Sequence, residues 1–518
     1  MGDPLNGKGV QVGPDPLAFD QVVAVAREDA PVTLTAEALE GMAATRAHIE
    51  ELEARPTPVY GVSTGFGALA TRHIPPELRA QLQLNIVRSH AAGSGPEVER
   101  EVVRAMMLLR LRTLAGGRTG VQPSTARTLA ALLNAGITPV VHEYGSLGCS
   151  GDLAPLSHVA LALIGEGSVR DASGELKPAA DALAAAGIEP VTLGAKEGLA
   201  LLNGTDGMLG MLVLALRDLR ELLKHADVAA AMSVEALLGT DRVFAADLQD
   251  LRPHPGQAAS AANLRALLTD SPIMESHRGP DCTRVQDAYS LRCAPQVHGA
   301  ARDTLAHAAL VASRELASAV DNPVVLPDGR VESNGNFHGA PVAYVLDFLA
   351  VPTADVASMS ERRTDRLLDR TRSHGLPAFL AEDPGVDSGH MIAQYTQAAI
   401  VSELKRLAAP ASADSIPSSA MQEDHVSMGW NAARKLRRAL DGLGRVVAVE
   451  ILTAARALDL RAPLRPGPAT AAVVTALREH VPPPGPDRYL APEIEAAVQL
   501  VRDGSLAAAA ETVTGPLA

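Results

Sequence analysis

The stretch Tyr144-Gly145-Ser146-Leu147-Gly148-Cys149-Ser150-Gly151-Asp152 has the residue types and spacing for an unusual piece of chemistry. Glycines at 145, 148 and 151 allow sharp, crowded turns that a Cβ forbids. Such a turn can press the Gly151 amide nitrogen against the carbonyl carbon of Cys149. Attack there expels one water, and loss of a second from the Ser150 side chain leaves a five-membered imidazolone with an exocyclic methylidene. That ring is an electrophile, which no unmodified side chain supplies. Alone, the tripeptide reads as a glycine-rich loop with a buried cysteine, so its meaning depends on the rest of the chain.

Other polar groups cluster in apolar surroundings. They are Asn85 to Gly93 with Ser89-His90 and Leu201 to Asp206 with Asn203, downstream of a Gly-rich loop from Pro58 to Gly67 that carries Tyr60. Val285 to Gln296 holds Gln286, Tyr289 and Arg292. Ser333 to Gly339 holds Phe337, and Ser419 to Met428 holds Gln422-Glu423-Asp424-His425. Each alone reads as a helix cap or a satisfied buried group. They fall at loops or helix ends, where sites are usually built, and together they suit one shared site at the end of a helical bundle. Competing motifs fail. Gly65-Phe66-Gly67-Ala68-Leu69-Ala70 lacks the strand and helix of a dinucleotide fingerprint. His142-Glu143 is followed by Ser146, not by the second histidine of a zincin. Gly148-Cys149-Ser150-Gly151 is one residue off a nucleophile elbow.

The elements that must position these residues are mainly helical. Ala and Leu dominate the 518 residues and aromatics are only 3%, which favours helix over sheet. Helical patterns fall at about 17–28, 35–54 (entered at Thr35), 76–92, 96–115 and 123–135, and 166–196 reads as a surface excursion with short strands. Longer patterns follow at about 209–238, 297–320, 338–371, 389–408 and 425–460. In the last, Leu436, Leu440, Leu443, Val447, Ile451, Ala454 and Leu458 recur at spacings of 3 and 4, the stripe of a packed helix. These patterns predict a mainly α fold, an elongated bundle of long antiparallel helices. A mixed, loop-rich N-terminal domain (1–200) is expected to carry the Tyr60 loop and the tripeptide. A central long-helix bundle (201–465) and a peripheral C-terminal segment (466–518) follow it.

A net charge of -14 argues against a nucleic-acid partner. Three cysteines without a CxxC fit a reducing compartment rather than a disulfide scaffold. No uninterrupted apolar run approaches the length of a membrane span, and Met1-Gly2-Asp3-Pro4 does not open a signal peptide. A cytoplasmic location is expected.

Taken together, these residues resemble the histidine ammonia-lyase family, within the aromatic amino-acid lyases that carry a methylidene-imidazolone prosthetic group. The likeness runs from about Pro58 to Arg456, over six motifs in the family's order. It implies a fold of the fumarase/aspartase-like superfamily and a homotetramer with active sites shared among three chains. It also implies a 4-methylidene-imidazol-5-one (MIO) made from Cys149-Ser150-Gly151, with no dissociable cofactor and no metal. The family usually has Ala-Ser-Gly there. Cys149 departs from that pattern and puts a thiol beside the electrophile, while Ser150 still supplies the methylidene and Gly151 the unhindered nitrogen.

By the same resemblance Tyr60 takes the β-proton, and Arg292 grips the substrate carboxylate in a bidentate pair. Tyr289 and Asn203 stand near the ring and the amine, Gln286 and Phe337 line the pocket, and His90 and Glu423 hold the substrate side chain. Phenylalanine and tyrosine lyases typically have His-Leu or Phe-Leu where Ser89-His90 stand, and Asn-Gln-Asp near Glu423. The version here is similar to the histidine-specific one. An imidazole offers a donor and an acceptor, which a histidine and a carboxylate match. A phenyl ring would leave those groups unpaired, at a cost of order several kcal/mol. The implied reaction is elimination of ammonia from L-histidine to give trans-urocanate. A tyrosine or phenylalanine lyase or aminomutase, and a catalytically inert helical scaffold, are the alternatives.

Overall fold

Runs rich in Ala and Leu make helix the dominant element. Four helices reach 23 to 31 residues: Asp206–Ala236, Ala294–Leu316, Ala340–Leu368 and Gly429–Asp459. The structure, a computed structural model, describes residues 9–54, 59–61, 63–279, 282 and 285–518. The expected stripe of the last helix is buried from Leu436 to Leu458. Each larger apolar side chain in it contributes about 1.5–3 kcal/mol by leaving water. That helix starts at Gly429 rather than 425. Met428 is left-handed (φ +53°), and the Ser427 hydroxyl accepts the Gly429 amide at 3.2 Å. Thr35 caps the Ala36–Glu53 helix as expected, its Oγ1 accepting the Ala38 amide.

Strands are short. Val10–Val12 pairs in parallel with Val32–Leu34, and Ser94–Glu97 runs antiparallel to His142–Tyr144. Thr138–Pro139, Ser168–Arg170 and Leu176–Pro178 form a three-stranded sheet in that order, and Val324–Val325 pairs with Val331–Glu332. The first of the antiparallel pairings corrects the helix expected from 96. The chain is extended through Glu97, and the helix begins at Arg100. The loop after Tyr144 likewise ends at Asp152, because Leu153–Leu163 is a helix. Two further helical regions were not read from the sequence. Pro255–Leu267 opens with proline at its first position and buries Ala261, Leu264 and Leu267. The expected peripheral tail holds Pro468–Arg478, Ala491–Arg502 and Ser505–Thr514, with Val473, Leu477, Val498 and Leu506 buried.

The chain divides into two compact units. The first comprises Met1–Leu214, Ala309–Leu346 and Pro410–Arg434. The second comprises Ala215–Ala308, Asp347–Ala409 and Lys435–Ala518. Each of the four long helices passes from one unit into the other, so the units are not successive stretches of sequence. They do not coincide with the boundaries drawn at 200 and 465. The core of the first unit is built on Arg100–Ala115, in which every residue from Val102 onward is buried. The core of the second holds a buried ion pair: Arg363 Nε to Glu450 Oε1 at 2.5 Å and Nη2 to Oε2 at 2.8 Å. The Ser233 and Ser360 hydroxyls donate to the same carboxylate at 2.7 and 2.6 Å. Glu197–Ala236 and Ala340–Leu368 are long and apolar enough for a bilayer by length and composition, but the apolar window of the first is wholly buried inside the protein.

Candidate active site

In the first unit the strand His142–Tyr144 leads into the loop 145–152, and the Leu153–Leu163 helix leads out of it. Gly148 and Gly151 set its path with φ of +67° and +77°. A Cβ at Gly151 would stand 2.2 Å from Gly204 O and 2.5 Å from Gly204 N. One at Gly148 would stand 2.5 Å from the Ser427 hydroxyl. Glycine at these positions therefore admits two distant segments onto the loop. From the first, Gly204 O accepts the Asp152 amide at 2.7 Å, and Asn203 Nδ2 donates to Ser150 O at 3.2 Å. From the second, Ser427 Oγ donates to Gly148 O at 2.6 Å, and the Met428 amide donates to Leu147 O at 2.9 Å. Gly339, just past Phe337, donates its amide to Gly148 O as well, at 3.0 Å.

Buried charges fix this frame. Arg110 Nη1 donates to Ala200 O at 2.9 Å and to Asn203 O at 3.2 Å. Its Nη2 donates to Asp206 at 2.6 Å and to Val320 O at 3.2 Å. One guanidinium thus ties the end of the Glu197–Leu202 helix to the start of Asp206–Ala236. Asp152 accepts the Ser146 hydroxyl at 2.8 Å and the Gly207 and Met208 amides at 2.9 Å each. Those amides belong to the first turn of a helix, its positive end. Burial nevertheless outweighs them and pushes the Asp152 carboxyl up to about 7. A second buried pair, Lys196 Nζ to Asp321 at 2.5 Å, joins the two segments whose Leu199 and Pro323 flank the Tyr60 loop. A Cβ at Gly61 would meet Pro323 at 2.9 Å and Leu199 at 3.1 Å.

Glu423 reaches the tripeptide from 274 residues away. Ser419, Ala420 and Met421 are all left-handed, with φ of +50°, +53° and +70°. This turn folds Glu423 back on Ser418, whose amide donates to Glu423 O at 2.9 Å. The Glu423 carboxylate then takes three donors. Ser150 Oγ lies 2.8 Å from Oε1, while Cys149 Sγ and Ser418 Oγ lie 3.2 and 3.1 Å from Oε2. Burial first, and then the Glu423 charge, push the Cys149 thiol up to about 12, so it stays protonated near neutral pH. Cys149 also packs on Val426 and Met428.

His90 ends the Pro76–His90 helix, with Nδ1 3.0 Å from the Ser89 hydroxyl. Burial lowers its pKa while the Glu423 charge opposes, so the ring is neutral near neutral pH and within electrostatic reach of that carboxylate. Tyr60 Oη accepts the Gly67 amide at 3.3 Å. Gly67 in turn lies beside the 418–421 turn, where a Cβ on it would be 3.5 Å from the Ser419 hydroxyl. Pro58 and Val62 of that loop lie outside the described residues.

The tripeptide, Asn203 and Glu423 are thus in direct contact, His90 is coupled to Glu423 by charge, and Tyr60 and half-buried Phe337 lie in the same unit. Gln286, Tyr289 and Arg292 belong to the second unit. Gln286 is exposed, Tyr289 is 70% exposed, and the Arg292 guanidinium stacks 4.7 Å over the Tyr289 ring. Sequence reasoning did not single out Arg110, the Asp152 carboxylate, Ser418 or Ser427. Only Arg110 left a signal, as a cation inside an apolar run. Among the described residues, no group of three or more His, Cys, Asp or Glu gathers as a metal site needs.

A helical body with a glycine-cradled Ser in contact with a remote carboxylate defines a class, and the comparisons name it. The model of the aromatic amino acid lyases matches residues 17–479, and the chain belongs to that family. It is 69% identical over 510 residues to the histidine ammonia-lyase of Streptomyces avermitilis, covering 98% of this chain and 99% of that one. It is 51% identical over 502 residues to the histidine ammonia-lyase of Gloeobacter violaceus, covering 97% of each. Among solved structures, a tyrosine aminomutase from Streptomyces globisporus superposes with a TM-score of 0.93 at 40% identity, over 98% of this chain and 100% of that one. The histidine ammonia-lyase from Trypanosoma cruzi does so with a TM-score of 0.89 at 39% identity, over 97% and 95%.

Proposed function

We propose that this carbon–nitrogen lyase eliminates ammonia from L-histidine to give trans-urocanate, the first step of histidine degradation. The observation that carries the reading is the Glu423 carboxylate, 2.8 Å from the Ser150 hydroxyl and coupled to a neutral His90. A carboxylate and a neutral imidazole offer an acceptor and a switchable donor, the complement of a histidine side chain. The full-length likeness to histidine ammonia-lyases agrees.

The tripeptide fits a methylidene-imidazolone. Gly151 accepts no Cβ, so its amide nitrogen is unhindered. Asn203 Nδ2 already donates to Ser150 O, the oxygen the ring would keep, while buried Asn203 Oδ1 has no hydrogen-bond partner among the described residues. When present, the ring supplies the electrophile that makes the α-amine a better leaving group. The chain's own residues do the rest. Tyr60 Oη removes the β-proton as general base. Arg292 binds the α-carboxylate, with Tyr289 and Asn203 near the amine and Gln286 and Phe337 lining the pocket. His90 and Glu423 fix the imidazole and exclude an unpaired phenyl ring. The enzyme works as a cytoplasmic homotetramer with sites shared among three chains. Exposure of Gln286 and Tyr289 supports the sharing, and the charge of -14 and the three cysteines support the location.

Two measurements test this. Urocanate absorbance should grow with L-histidine and not with L-tyrosine or L-phenylalanine; turnover of tyrosine alone would establish the aminomutase or tyrosine-lyase reading that the Streptomyces globisporus likeness raises. Intact mass should be two waters below the unmodified chain. Ser150→Ala should carry full mass, remain folded and lose turnover; a retained rate removes the ring from the reaction.

A further inference from the structure

The two oxygens of Glu423 are held by different kinds of donor. Oε1 takes the Ser150 hydroxyl, and Oε2 takes the Cys149 thiol and the Ser418 hydroxyl. Ring formation closes the bond from Gly151 N to the Cys149 carbonyl carbon and expels that carbonyl's oxygen as the first water. The Ser150 hydroxyl then leaves with the Ser150 Cα hydrogen as the second. The donor to Oε1 therefore disappears in the same step that creates the electrophile. The donors to Oε2 do not, since the Cys149 side chain hangs outside the ring and Ser418 takes no part in it.

Resting on the reading above, we propose that Cys149 and Ser418 are positioning residues. They hold Glu423 Oε2 so that Oε1, freed when Ser150 loses its hydroxyl, is presented to the N–H of the substrate imidazole. Three observations converge. The Glu423 backbone is pinned by its pairing with Ser418 and the left-handed turn 419–421, so its side chain leaves from a fixed point. The Cys149 thiol is backed by Val426 and Met428 and has little room to turn away. Burial and the Glu423 charge keep that thiol in its S–H form, the form that donates. The alanine usual at this place in the family cannot make the contact, so Cys149 is a specificity device particular to chains that carry it.

The test uses Cys149→Ala, Cys149→Ser and Ser418→Ala in the full chain. Intact mass reports first whether each has lost two waters. The expected result is ring formation in all three and kcat for L-histidine within about twofold. KM should be raised by roughly three- to tenfold in Cys149→Ala and Ser418→Ala, the net worth of one ordinary side-chain hydrogen bond. Cys149→Ser, with its own donor, should restore KM. An unchanged KM in ring-bearing Cys149→Ala overturns the proposal. So does a Cys149→Ala chain of full mass, which would place Cys149 in ring formation, or a kcat loss that serine does not rescue, which would make its role structural. Failure of the underlying reading is distinct, because the wild-type protein would then yield no urocanate at all.

Discussion

Asp152→Asn isolates a pH dependence built into the anchor of the loop 145–152. Burial holds the Asp152 carboxyl at about 7 against an ordinary 3.8. Between those values the folded chain keeps a proton that the unfolded chain has released. The carboxyl's contribution to stability is therefore complete below the unfolded value and is lost as pH rises through the folded one. A difference of about 3 pH units, at about 1.36 kcal/mol each, amounts to ~4 kcal/mol, of which roughly 2–3 kcal/mol disappears between about pH 5 and about pH 8. Asparagine is close to isosteric: its oxygen can accept the Gly207 and Met208 amides, and its nitrogen can donate to the Ser146 hydroxyl. Its stability has no such titration. Urea midpoints of both chains, at one protein concentration across that interval, give the comparison. The wild-type curve should fall relative to the variant by roughly 2–3 kcal/mol, with the difference inflecting near 7. Parallel curves, or an inflection below about 5, would show that the three donors rather than burial govern this carboxyl.

Gly151→Ala should be unable to cyclise and should lose stability. A left-handed φ of +77° costs an alanine about 1–2 kcal/mol, and the new Cβ meets the Gly204 carbonyl oxygen at 2.2 Å. Full intact mass together with a lower urea midpoint is the expected pair of results; a chain lighter by two waters refutes it. Glu450→Ala should destabilise by about 3–5 kcal/mol, because it leaves Arg363 charged and buried without its partner. Glu450→Leu combined with Arg363→Met should recover most of that loss, and a double variant no better than the single one would mean that packing rather than charge is at stake.

What the sequence disclosed, and what it hid, follows from how local each interaction is. The Gly429–Asp459 stripe was legible because a helix writes its buried face at a spacing of 3 and 4. The tripeptide stood out because the ring closure open to it involves three consecutive residues. Asn203 stood out as a polar residue closing an apolar helix. Glu423, by contrast, was placed only by resemblance. Its approach depends on three non-glycine residues, Ser419, Ala420 and Met421, taking left-handed conformations that their types do not announce. Ser418, its co-holder, is an ordinary serine until that turn forms. Arg110 was passed over although it is a cation in an apolar run, because its partners lie 90 to 210 residues away and include backbone carbonyls, which carry no residue type to read. The Pro255–Leu267 helix was hidden because small residues bury well and score weakly in periodicity.

The contact between Ser150 and Glu423 spans 273 residues of chain. During synthesis at about 5–20 residues per second, Ser150 leaves the ribosomal active centre roughly 14 to 55 s before Glu423 is added. The tripeptide Cys149-Ser150-Gly151 thus spends that interval without the carboxylate that contacts two of its three residues. Only when the segment 410–434 has been made can Glu423, Ser427 and Met428 close over residues 147–150, so the loop gains its last neighbours late in the life of the nascent chain.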